Sequence, residues 1–343
     1  MIKIVTNSID ISTLYDRLNK LGLSPDFVRQ NGLPEWWTEE CETLPDASIT
    51  VATYLAQRFN LEFKSLIDPN FEPVFQQSNQ TRYKTQNTDV SKQLNLASFL
   101  ALRIAELVVY AYPQEYQTIE GITADKIRTY ILNQNQTVSL RSLLSFCQAH
   151  GIPVVHFANF PKTVKKFYGM VTRCATNPVV VLSLRDPSPS RLAFILAHEL
   201  GHIALKHLEK QETISDEEIK THDLQDAQES EANEFAAELI LGEPDKIYYF
   251  PRYMKAEVLA NRANEKAILD QVDPGAIAWN YSWYEKKHFP IARKAAKILE
   301  KGANAPMLIN EQLNQQLNWE RLSDDNQEYL TLSLKLDETI TGG

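Results

Sequence analysis

One segment restricts the fold more than any other. Arg191 to Leu208 reads RLAFILAHELGHIALKHL, an apolar run whose spacing predicts a buried helix. His198, Glu199 and His202 sit inside it. Two imidazoles and a carboxylate are expensive to bury unless something pairs with them. Positions four apart on a helix differ by roughly 40° in azimuth, so both imidazoles point the same way. At this chain's histidine and glutamate frequencies, HExxH arises by chance in about one such chain in a hundred. Two neutral histidines one turn apart make a seat for zinc. Glu199 is placed as general base, taking a proton from a zinc-bound water whose pKa falls to about 7.

A catalytic zinc needs a third protein ligand. The helix expected over Leu224 to Leu241 contains QDAQESEANEFAAELILG. Glu229 and Asn233 share a face there, and Glu231 lies on a different side. The segment is similar to thermolysin-like enzymes, in which a glutamate ligand is followed four residues later by an Asp or Asn. That likeness implies that Glu229 binds zinc and that Asn233 accepts a hydrogen bond from the ring N–H of His198. Glu231 is the alternative ligand. Acidic residues at a helix start are also favourable in their own right.

The surrounding pattern predicts an α+β fold, mostly helical. Short helices are expected over Ile11–Leu21 and Ser48–Ile67, with Ser24-Pro25 opening another turn. The polar run 76–92, QQSNQTRYKTQNTDVSK, has little to bury and is expected to be a linker. Helices follow at Leu94–Ala111, Thr123–Leu132 and Ser139–His150, and β patterns at 151–155, 168–172 and 178–183. Beyond the second ligand helix, further helices are expected at Lys255–Asp270 and Gly275–Glu300. The resulting division is a helical N-terminal region (1–75), the linker (76–92), a catalytic core (93–245), a helical segment (246–301) and a partly flexible tail (302–343).

Charge narrows the partners. The chain carries 35 Lys and Arg against 44 Asp and Glu, a net charge of −9. Coating nucleic acid or an anionic membrane needs a basic surface. The longest apolar segment, Leu94 to Tyr112, contains Arg103 and Glu106 and is expected to be a buried amphipathic helix. Cys41, Cys147 and Cys174 form no CxxC pair, which excludes cysteine-based zinc and thioredoxin-like chemistry and fits a reducing compartment. The opening MIKIVTNSIDIST has no apolar run long enough for a signal peptide, so the cytoplasm is the expected location.

The HELGH helix together with Glu-Ser-Glu-Ala-Asn-Glu-Phe-Ala-Ala-Glu-Leu-Ile resembles the ImmA/IrrE family of metallopeptidases, over roughly Ser139 to Glu300. Val272 to Ala278, VDPGAIA, is similar to that family's C-terminal helical segment. The chain departs from many relatives only after the alanines, where Ile240 to Pro244 reads ILGEP. The resemblance implies a gluzincin core, with a small mixed sheet packed on the zinc helix. It also implies an intracellular endopeptidase that cuts a helix-turn-helix repressor. Residues 8–68 have the length of a helix-turn-helix module. Residues 1–70 nevertheless hold six basic against ten acidic side chains, which favours a degenerate module that holds a protein partner over one that binds DNA. A zinc-containing sensor with little hydrolysis is the competing function.

Four finer expectations complete the reading. Substrate is expected to add as a strand beside Val179, Val180 and Val181. The acidic loop Glu209–Asp223 is expected to lie over the cleft as a lid, with cleavage of a basic partner that weakens as salt rises. Tyr248 or Tyr249 is a candidate oxyanion donor. His207, five residues past His202, is expected to turn away from the zinc.

Overall fold

The computed structural model describes residues 9–76, 89–162, 164–209, 213–216, 227–250 and 254–336. Among these, the helices are α1 (Ile11–Lys20), α2 (Pro25–Asn31), α3 (Ala47–Arg58), α4 (Phe63–Ile67), α5 (Asp89–Ala111), α6 (Ala124–Leu132), α7 (Leu140–Ala149), α8 (Pro189–Ala204), α9 (Ala227–Leu241), α10 (Ala256–Asp270), α11 (Pro274–Tyr284), α12 (Phe289–Leu299), α13 (Ala305–Asn314) and α14 (Asp324–Leu334). The strands are β1 (Val154–His156), β2 (Gly169–Cys174), β3 (Asn177–Leu182) and β4 (Thr213–Asp216). This is the mostly helical α+β fold that the sequence implies, with one small mixed sheet. None of the described helices is long and apolar enough to cross a membrane.

The described residues fall into two compact units. The first draws on 1–111, 159–166 and 318–343. Guanidinium groups satisfy backbone carbonyls within it, some of them left open by the end of α4. Arg17 donates to the carbonyls of Ser65 and Leu66 at 2.8 and 2.9 Å. Arg58, fully buried, donates to the Leu33 carbonyl and pairs with Glu328 at 2.8 Å.

The second unit, 112–158 and 167–317, holds the sheet and α8. The strand order is β1-β3-β2-β4, with β1 parallel to β3 and the other pairs antiparallel. The outer edge of β1 is engaged by Asn310, whose amide accepts from the His156 N–H and donates to its carbonyl, both at 2.9 Å. One face of the sheet, through Val171, Val180 and Leu182, packs on Leu192, Leu196 and Leu200 of α8. Ser188 caps α8 by accepting from the Arg191 N–H at 3.4 Å, with Pro189 preset at the first helical position.

Several elements depart from the sequence reading. The single helix expected over 275–300 is two, α11 and α12, because Pro290 cannot supply a helical N–H and restricts the residue before it. The tail expected after residue 302 carries α13 and α14, with Ile309 and Leu313 buried on the first and Leu330 and Leu334 on the second. β4 arises inside the acidic segment, where Thr-Ile-Ser-Asp is too short to register as a strand. Cys147 and Cys174 are buried and Cys41 is half-buried. Most of the expected linker, 77–88, lies outside the described residues.

Candidate metal centre

Helix α8 carries His198, Glu199 and His202, and none of the three is exposed to solvent. The Nε2 atoms of the two histidines stand 3.1 Å apart. Helix α9 brings Glu229 against them, with Oε2 3.4 Å from His198 Nε2 and Oε1 3.5 Å from His202 Nε2. One donor atom from each of the three residues lies within 4.8 Å of the others. The approach of α9 depends on Gly201. A β-carbon there would meet Phe235 at 3.2 Å and Ala232 at 3.3 Å.

The outward nitrogens determine what the inward ones can do. His198 Nδ1 lies 3.1 Å from the Asn233 Oδ1, an acceptor, so Nδ1 carries the proton and Nε2 presents a lone pair. His202 Nδ1 lies 2.8 Å from His207 Nδ1, and His207 Nε2 lies 3.0 Å from Glu231 Oε2. The carboxylate fixes the His207 proton on Nε2, leaving its Nδ1 as acceptor. His202 therefore donates from Nδ1, and its Nε2 also presents a lone pair. Two imidazole lone pairs and a carboxylate then face one point inside the protein, an arrangement that a cation relieves. Donor atoms about 2.0–2.1 Å from a tetrahedral zinc would be about 3.3 Å apart, close to the 3.1 Å between the two Nε2 atoms.

Glu231, the alternative ligand, is outside this cluster and engages His207 instead. His207 itself is the contact at the site that the sequence reading missed. Extending the helix to Leu208 turns His207 away from the metal face. Helix α8 instead ends at Ala204, and Lys206 takes a left-handed conformation with φ 62°. That reversal folds His207 back onto His202. Burial holds the His207 pKa below the usual imidazole range. The visible signal was the Leu205-Lys206 exit, whose geometry a periodicity argument cannot supply.

Glu199 follows the first histidine and packs where β2 begins. A β-carbon on Gly169 would overlap Glu199 Oε1, so the glycine is what gives this carboxylate room. Its neighbour on α8, Ile195, closes the same space from the other side.

Other expected site residues are not brought here. Val179, Val180 and Val181 lie on β3, an interior strand: Val180 is paired with Val154 on one side and Val171 on the other. Both backbone edges of β3 are used, so a substrate strand cannot add beside these valines, and that expectation is corrected. Tyr248 is buried, and its hydroxyl donates to Asp270 at 2.9 Å. That proton is already committed to Asp270 inside the core, so Tyr248 is no oxyanion donor. His150 and His156, whose pattern in the sequence points to satisfied histidines and not to ligands, engage the carbonyls of Phe146 and Leu184 at 2.9 and 3.0 Å. The expected lid at 209–223 lies largely outside the described residues, apart from Glu209 and β4, and His222 with it.

The site has the donor set and helix pair of a metallopeptidase. Residues 147–268 match the family model described as IrrE N-terminal-like domain, Peptidase_M78. This stretch accordingly belongs to the ImmA/IrrE metallopeptidase family that the sequence resembles, a family that typically uses zinc. Both helices of the site, α8 and α9, fall within it. No curated protein and no solved structure matches the chain.

Proposed function

We propose that the chain is a zinc-dependent endopeptidase that cuts one protein partner by Glu199-assisted hydrolysis. The observation that carries this reading is the convergence of the His198 and His202 donor atoms of α8 with that of Glu229 of α9 within 4.8 Å, beside Glu199 on α8. His198, His202 and Glu229 would hold the metal. Zinc, when bound, is a Lewis acid that makes water nucleophilic near neutral pH. Glu199 would take the proton from the attacking water and return it to the departing amine. Asn233 would keep the His198 proton on Nδ1. A metal site that serves only the fold has no use for a carboxylate at Glu199, which is what favours hydrolysis over the zinc-sensor alternative.

The partner we infer is a basic, DNA-binding regulator of the helix-turn-helix type. The 209–226 segment between the ligand helices carries seven acidic side chains against Lys210 and Lys220, which favours a basic surface. The site lies in a reducing cytoplasm on this reading. Glu199→Gln should trap the partner, because binding survives and turnover does not. The full-length variant, purified from its native host, should retain a protein that wild type cleaves in a zinc-dependent reaction. A co-purifying protein that wild type leaves intact with zinc added would favour the sensor.

A further inference from the structure

We propose that His207 and Glu231 are positioning residues for the second histidine ligand, acting as a relay of two hydrogen bonds that orients His202. This inference rests on the metal-site reading above and deepens it. The two ligand histidines are held differently. His198 is held in one step, by the side-chain oxygen of Asn233 on α9. His202 is held in two, by His207 and then by Glu231 on α9, with heavy-atom separations of 2.8 and 3.0 Å.

The geometry has one self-consistent proton assignment. His202 donates from Nδ1 to His207 Nδ1, and His207 donates from Nε2 to Glu231. An imidazole ligand turned by its outer nitrogen toward a carboxylate is a common device for fixing its tautomer and raising its basicity. Here a neutral imidazole is interposed and carries that influence across. His207 is nearly buried, at 4% exposure, while the Glu231 side chain is half exposed, at 58%. The relay thus runs from the buried ligand to the solvent edge of α9. It also ties the exit of α8 to α9 at a second point, independent of Glu229.

The test is Zn2+ affinity of the full-length protein, measured by competition with a chromophoric chelator at constant pH. Removing a group that orients a ligand typically weakens metal binding 10–100-fold. His207→Ala should fall in that range. His207→Asn, which keeps an acceptor oxygen where Nδ1 stood, should recover most of the loss. Glu231→Ala, at a half-exposed position that folding tolerates, should cost about 3–10-fold, and Glu231→Gln should cost less. His207→Ala binding within threefold of wild type overturns the proposal, as does His207→Asn binding no better than His207→Ala. If His207→Ala does not fold, an unchanged affinity in Glu231→Ala overturns it equally. Loss of all zinc in Glu231→Ala with His207→Ala unaffected would make Glu231 a ligand and also overturn it. Wild type that takes up no zinc would instead refute the metal-site reading itself.

Discussion

Two partly buried polar clusters lie along the same helix and are satisfied in opposite ways. At its N-terminal end, Glu300 accepts from the Ser190 N–H at 2.8 Å, and Asp186 pairs with Arg191 at 2.7 Å. Asp273 caps α11 by accepting from Gly275 and Ala276 at 2.8 and 3.3 Å. Each of these carboxylates rests at least one oxygen on the chain's own donors. At the C-terminal half, Asn233 and the His207–Glu231 pair use up the outward nitrogens, and three acceptors are turned toward one another. Burial is costly at both ends. A cluster that closes on backbone N–H groups serves the fold. One whose acceptors converge on a common point calls for something from outside.

The largest effect should separate the two clusters outright. Glu199→Gln should lower cleavage of the partner by 10²–10⁴-fold, the usual contribution of a general acid–base, while zinc content and thermal stability stay at wild-type values. Cleavage at near wild-type rate would remove Glu199 from the chemistry. Glu229→Ala comes next. It should lower zinc affinity by more than about 100-fold, since it removes a ligand outright rather than the partner of one. Equal zinc content in wild type and variant, read by elemental analysis after gel filtration, would break the contrast drawn between the clusters.

Much of the second unit was legible because its signals are local. HELGH, the apolar β-branched run of Val179 to Leu182 and the EAN spacing each imply their own element, and the family resemblance joined them. Strand order was not legible. Nothing in Val179-Val180-Val181 distinguishes an edge from an interior strand, and β4, which covers β2, is four residues long. His207 was lost because its contact depends on where a helix stops. Gly169 was lost because a glycine opening a strand is ordinary until a carboxylate is found above it. That contact makes a prediction of intermediate size. Gly169→Ala should cost at least tenfold in cleavage rate by displacing Glu199, with zinc affinity within about threefold of wild type, since a misplacement of about 1 Å can cost 10²-fold. A Gly169→Ala variant as active as wild type would mean that Glu199 works from a different position.

The smallest effect belongs to the N-terminal cluster and should leave zinc binding untouched. Burial, followed by the repulsion of Glu300, pushes the Asp273 pKa up to about 6 from an ordinary value of 3.8. The folded state therefore holds its proton more tightly than the unfolded chain. Between about pH 4 and pH 6 the native state binds more protons than the unfolded state, so stability attributable to this group falls as pH rises and levels off above pH 6. A difference of about two pKa units corresponds to about 3 kcal/mol at most. An amide in place of the Asp273 carboxylate would keep an acceptor oxygen for the Gly275 and Ala276 N–H groups and carry no charge against Glu300. Asp273→Asn should thus stabilise the protein by about 1–3 kcal/mol at pH 7.5 and by about a third as much at pH 4.5. Urea unfolding of both proteins at both pH values, with metal chelated throughout, isolates the group, because titrations common to the two proteins cancel in the difference. A difference that is the same at both pH values would show that Asp273 stays ionised at no cost. The two ends of α8 would then differ less in their electrostatics than their geometry implies.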